Sequence, residues 1–110
     1  MSRYYKLVEK TIVPCTLIEW SQSFENADAR RVARDSINNL DVSTVFLGLN
    51  HSFSDDESPL LFETMVFDER KDRARESILC ERCTTYEQAE AQHARILALA
   101  KTGNLPLDPP

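Results

Sequence analysis

Cys80 and Cys83 form a Cys-x-x-Cys, the spacing with which a short turn aims two sulfurs at one zinc ion or one redox partner. The chain has no second such pair, and the motif falls in a stretch that reads as a strand, where side chains three apart point to opposite faces. No helix start follows closely enough to stabilise a thiolate. The pair reads as buried, unreactive cysteines, and no metal or cofactor is expected, although Cys15, His51 and His93 stand available as further ligands. His51 with Asp55, Asp56 and Glu57 forms a second cluster, whose imidazole and carboxylates are the groups a metal site or an acid/base pair uses. These residues lie in the polar stretch NHSFSDDES, and a loop tip carries polar residues whatever its function.

Glu63 is the sole charge within PLLFETMVF. Bulky neighbours predict partial burial, and a buried carboxylate needs a partner, with Arg30, Arg31, Arg34 and His93 as the candidates. His93 itself is expected in a core, bonded to a backbone group or a carboxylate. No P-loop, GxGxxG, GxSxG or HExxH occurs.

The elements that must position these residues follow from local pattern. Val42 to Leu49 and Pro59 to Phe67 are dense apolar runs that read as the arms of a β-hairpin around the polar loop. Upstream, Arg31 to Ile37 followed by Asn38 and Asn39 reads as a strand entering a tight turn, because asparagine tolerates positive φ. Tyr4 to Val8 reads as a strand with a turn at Glu9 to Thr11 and a trailing extension, and Pro14 excludes helix there. Thr16 with Glu19 is a capping-box pattern opening a helix over about 17 to 25, carried by Leu17, Trp20 and Phe24. Asn26 to Arg30 reads as a connection or a further helical turn. After the charged connector Asp68 to Arg75, Ser77 to Cys83 reads as another strand. Thr85 with Gln88 opens the last helix, and Gly103 and Pro106 close it. Tyr86, Ala89, His93, Ile96 and Ala100 share one stripe of that helix, which places His93 at the centre of its buried face.

The expectation is an α+β fold: an antiparallel β-meander of about four to five strands packed against a C-terminal helix and a short N-terminal helix. One domain is expected over residues 1–104, with a proline-rich tail at 105–110. Both faces of the central hairpin carry apolar side chains, so a helix is expected on one and a second copy of the chain on the other, giving a homodimer.

Composition narrows the functions. A net charge of −5 argues against a protein that neutralises nucleic-acid phosphates, and its two arginine-rich clusters are interleaved with acids. The apolar runs are strand-sized, so no membrane span is expected. The start MSRYYKLVEK lacks the apolar core of a secretory signal, and three cysteines suit a reducing compartment, so the expected location is the cytoplasm.

VSTVFLGLNHSF followed by PLLFETMVF resembles a family of small, largely uncharacterised proteins of tailed bacteriophages and prophages in which these two motifs recur. LIEWSQSFENADARRVA looks like the family's tryptophan segment before an arginine-rich strand, and TTYEQAEAQHARI looks like its closing helix, with His93 at the family's histidine. The likeness runs roughly from Tyr4 to Leu99. Two positions depart from it: SDDES replaces a glycine-rich turn, and Cys83 stands where an aromatic residue is usual. The resemblance implies a phage or prophage origin and, with it, action in the host cytoplasm; it implies no particular activity.

The leading expectation is a small non-enzymatic binding protein that engages a host or phage protein, interference with a host defence system being one form of that role. The alternative is a binder of a small nucleotide or signalling ligand, with His51, Phe53 and the arginines of the Arg31 to Ile37 strand lining a pocket; the expected binding residues taken together are Asn50, His51, Phe53, Glu63, Arg31 and Arg34. A metal-dependent enzyme using His51, Asp55, Asp56 and Glu63 is the remaining reading.

Overall fold

Two turns built from pairs of positive-φ residues organise the first half of the chain. The computed structural model describes residues 3–50, 59–70 and 77–105. Glu9 and Lys10 (φ 50° and 70°) join β1 (Tyr4–Val8) to β2 (Thr11–Cys15), and Asn38 and Asn39 (φ 51° and 64°) join β3 (Arg31–Ile37) to β4 (Leu40–Phe46). Positive φ at both central residues matches the right-handed twist of a hairpin. Asn38 and Asn39 meet the expectation. Glu9 and Lys10 make the turn expected there, and the segment after it is a full strand rather than a trailing extension: β1 and β2 pair from Tyr4 with Cys15 to Val8 with Thr11 and form a two-stranded sheet of their own.

The α+β architecture is as expected, with the strands divided between two sheets rather than gathered in one. β3, β4, β5 (Phe62–Asp68) and β6 (Ser77–Cys83) make a four-stranded antiparallel meander in chain order. The two apolar runs are the neighbours β4 and β5, in register from Leu40 with Asp68 to Phe46 with Phe62. Between β2 and β3 lie α1 (Leu17–Phe24) and α2 (Ala27–Arg30). Asn26 caps α2 by accepting from the Ala29 amide at 3.2 Å, so the segment read as a connection or helix extension is a separate single turn.

α3 (Tyr86–Thr102) lies across the meander. Its Thr85–Gln88 capping box satisfies the first-turn amides, and Gly103 ends it in the left-handed conformation. The Asn38 side chain donates to the Ala100 and Lys101 carbonyls at 3.4 Å each, tying the β3–β4 turn to the end of this helix. α1 carries the Thr16–Glu19 box, and Lys6 of β1 donates to Glu19 at 2.7 Å. Among the described residues no helix is long and apolar enough to cross a membrane.

Strand alternation assigns every meander residue to a face. Toward α3 point three cross-strand rows: Val42, Val66 and Leu79; Thr44, Thr64 and Glu81; Phe46, Phe62 and Cys83. The first row joins Ile96 in one apolar cluster, and Phe46 and Phe62 of the third join Leu61 and Ala89 in another. His93 sits opposite the threonine row, so the polar residues of α3 and the sheet meet between two apolar clusters. Tyr5, Leu7 and Ile12 pack the small sheet onto the second cluster.

Gly48 makes that docking possible. Its φ of +70° is open to glycine at little cost, and a Cβ there would stand 2.5 Å from the Tyr5 carbonyl oxygen and 2.9 Å from the Phe46 ring. The Tyr5 amide donates to the Gly48 carbonyl at 2.8 Å, and Trp20 of α1 donates from Nε1 to the Leu47 carbonyl at 3.0 Å.

Candidate functional site

The face of the meander turned away from α3 gathers three of the expected binding residues. Register places Arg31, Val45, Glu63 and Arg82 in one cross-strand row and Arg34, Ser43, Met65 and Cys80 in the next. Asp41 follows one row further on. Among the described residues no helix packs on this face, yet Asp41 and Glu63 are buried, at 2% and 7% exposure.

Each of these acids has a cationic partner. Arg82 donates from Nε to Glu63 Oε2 at 2.8 Å, and the Cys80 thiol donates to the same oxygen at 3.4 Å. Arg34 holds Asp41 through Nε and Nη2 at 3.1 and 3.0 Å, a two-pronged contact. Arg31 reaches Asp28 at 3.3 Å on the exposed surface. The burial of Glu63 and its ion pair agree with expectation, but the partner is Arg82, which was not among the candidates. Arg82 is its direct neighbour on β6, whereas His93 lies on the opposite side of the sheet.

Asn50 is buried, and its amide donates to the Arg3 carbonyl at 2.9 Å, so its backbone serves the junction between β1 and the end of β4. His51, Phe53, Asp55, Asp56 and Glu57 lie outside the described residues. The structure thus brings Glu63, Arg31 and Arg34 to one face, each with its own carboxylate or guanidinium partner.

The cysteines do not converge. Cys80 faces Glu63, while Cys83, three residues on, points to the α3 side among Phe46, Phe62 and Ala89. Burial pushes the Cys83 thiol above the usual thiol range, and burial does the same for Cys15. Among the described residues no group of three or more histidine, cysteine or acidic side chains is placed to hold a metal ion.

His93 is the buried histidine expected, and its carboxylate partner is Asp35 of β3, 2.7 Å from Nε2. Its other nitrogen, Nδ1, lies 2.8 Å from Thr44 Oγ1. Thr44 Oγ1 lies 2.6 Å from Thr64 Oγ1, and Thr64 donates to Gln92 Oε1 at 3.0 Å. Gln92 lines an open cleft of about 510 Å³ between β6 and α3, together with Leu60, Arg82, Thr84, Gln88 and Arg95. The polar chain therefore runs through the core from half-exposed Asp35 to a cleft on the far side of α3. Thr44 and Thr64 were not singled out from sequence. The available signal is a threonine at the matching position of each apolar strand, in VSTVF and FETMV.

Apolar surface collects elsewhere. α1 contributes no buried residue, and Ile18, Leu17 and Phe24 are 70%, 53% and 43% exposed. On a helical wheel Phe24, Leu17 and Ile18 bound one outward arc, with Trp20 on its inner edge. Trp20 stacks between Tyr4 and Phe24, with ring centroids 5.6 and 4.9 Å away. The Arg30 guanidinium lies 3.9 Å from the centre of the Phe24 ring, with Nε buried and without a hydrogen-bond partner. Burial draws this guanidinium below its usual range.

No protein-family model, curated protein or solved structure matches the chain.

Proposed function

We propose that this chain is a small non-enzymatic accessory protein of the phage type that its motifs resemble, acting in the host cytoplasm by binding a host or phage protein, with antagonism of a host defence system as the form of that role to test first. The observation that carries the reading is the outward arc of α1. Leu17, Ile18 and Phe24 remain exposed on a helix with no buried residue, beside the Trp20 ring that contacts Phe24. Large apolar side chains left exposed along one arc of a helix are a feature that protein interfaces use. The engagement of Glu63, Arg34 and His93 with internal partners supports binding over chemistry at those residues.

The test is capture from bacterial lysate with the tagged protein, comparing the parent with a Leu17→Ser/Ile18→Asp variant whose circular dichroism matches it. A stoichiometric protein held by the parent and lost by the variant supports the reading. A co-purifying nucleotide with no protein supports the small-ligand alternative.

Association of two copies through the far face of the meander is a second reading, supported by part-exposed Val45 and Met65 on a face where no helix packs among the described residues. Light scattering at micromolar concentration tests it, and a strict monomer contradicts it.

A further inference from the structure

Four contacts make up the buried polar chain: Asp35 with His93 Nε2, His93 Nδ1 with Thr44, Thr44 with Thr64, and Thr64 with Gln92. Each contact needs one hydrogen, and the two hydroxyls supply only two. Both hydroxyls are fully buried, so solvent does not stand in for a missing donor.

With the Gln92 carbonyl turned inward, Thr64 donates to Gln92 and Thr44 must donate to Thr64. His93 Nδ1 must then donate to Thr44, and because a carboxylate only accepts, Nε2 must also donate to Asp35. An imidazole that donates from both nitrogens is an imidazolium. If His93 carries one hydrogen, on Nε2 for Asp35, the whole order reverses: Nδ1 accepts from Thr44, Thr44 from Thr64, and Thr64 from the amide nitrogen of Gln92. That last step requires the amide to turn over. A proton on Asp35 instead of Nε2 leaves the hydroxyl directions unchanged, so the Asp35–His93 unit as a whole sets the state.

We infer that His93 and Gln92 form a proton-coupled pair, in which gain or loss of one proton at the Asp35–His93 unit reverses both threonine hydroxyls and turns the Gln92 amide, so that the cleft beside Arg82 and Arg95 meets an NH2 in one state and a carbonyl in the other. This inference goes beyond the binding reading and does not depend on it. Asp35, half-exposed, gives the proton its route to solvent. Among the described residues the charged groups around the unit are few. β3 presents Asp35; β6 presents Glu81, which Arg95 of α3 holds; and Glu90 on α3 is exposed. β4 and β5 present only Thr44 and Thr64 in this row, since Asp41 and Glu63 are held by Arg34 and Arg82 on the other face.

The test is nuclear magnetic resonance on isotope-labelled protein carrying His51→Gln, which leaves His93 as the single histidine. The ring nitrogens of His93 and the side-chain amide of Gln92 are followed together against pH. One shared midpoint is expected. Exchange of the Gln92 amide hydrogens with water, referenced to exposed Gln22, should be slower in the singly protonated state, where one of them is held by Thr64. Thr44→Val should uncouple the two titrations and Thr44→Ser should preserve them. A Gln92 amide that ignores His93 titration overturns the inference, as does a Gln92 response that survives Thr44→Val, or a pair that shows one fixed state across the whole folded pH range. If Thr44→Val does not fold, the exchange measurement on the His51→Gln protein decides alone.

Discussion

Thr44 and Thr64 face each other across β4 and β5 with their hydroxyl oxygens 2.6 Å apart, both fully buried between two apolar clusters. Thr44→Val keeps the shape and removes the hydroxyl, leaving His93 Nδ1 without a partner, while the Thr64 hydroxyl keeps Gln92. With one buried polar group left unsatisfied, the variant should lose about 1–3 kcal/mol. The Thr44→Val/Thr64→Val double variant removes both members of one contact and should cost less than the sum of the two single changes. Urea denaturation of the four proteins checks both statements, and strict additivity would contradict the network.

Gly48→Ala should be far more costly than Gly103→Ala. Both glycines have positive φ, at +70° and +74°, so each substitution carries about 1 kcal/mol of backbone strain. Only at Gly48 does the new carbon meet the Tyr5 carbonyl oxygen at 2.5 Å, while nothing lies within 4 Å at Gly103. Overpacking adds roughly 1–3 kcal/mol at Gly48 and should loosen β1 and β2 from the meander. Trp20 fluorescence reads the loosening directly, because this single tryptophan bridges the helix and Leu47.

The Glu19 carboxyl should give α1 an acid-sensitive dock. The hydrogen bond from Lys6, followed by the Thr16 backbone, holds it below the usual carboxylate range. A depressed folded value means that its stabilisation is present above the unfolded value and is lost as pH falls through the folded one. Trp20 fluorescence should therefore change on acidification. Lys6→Met should move that change to higher pH, and an unmoved transition would show that Lys6 is not its cause.

Cys83 and Cys15 should be alkylated more slowly in the folded protein than in urea, because burial raises both thiols and leaves less thiolate at a given pH. The sign for stability is the reverse of the Glu19 case: as pH rises past the ordinary thiol value, the unfolded chain ionises first and folding weakens. Iodoacetamide labelling read by mass spectrometry, with and without denaturant, checks the order of rates. Equal rates would contradict the burial.

What was legible beforehand was the chemistry that acts over a few residues. The Thr16–Glu19 and Thr85–Gln88 boxes, the Asn38–Asn39 turn and the α3 stripe were all read correctly, since each depends on spacing along one segment. Glu9 and Lys10 did not announce a two-residue hairpin, because neither is a usual positive-φ residue and the pairing of β1 with β2 carries them. Register was the larger loss. Without register, Arg30, Arg31, Arg34 and His93 all stand as possible partners of Glu63, while Arg82 lies directly across on β6. The same blindness hid the opposition of Thr44 and Thr64, whose meaning exists only when β4 and β5 are laid side by side.

The outward arc of α1 is the surface proposed for partner binding. The most direct measurement is quantitative capture from lysate by the parent and by the folded Leu17→Ser/Ile18→Asp variant, with each bound protein weighed by mass spectrometry. One stoichiometric protein partner, retained by the parent and lost by the variant, is expected. Equal retention by both, or no protein bound by the parent, would contradict it.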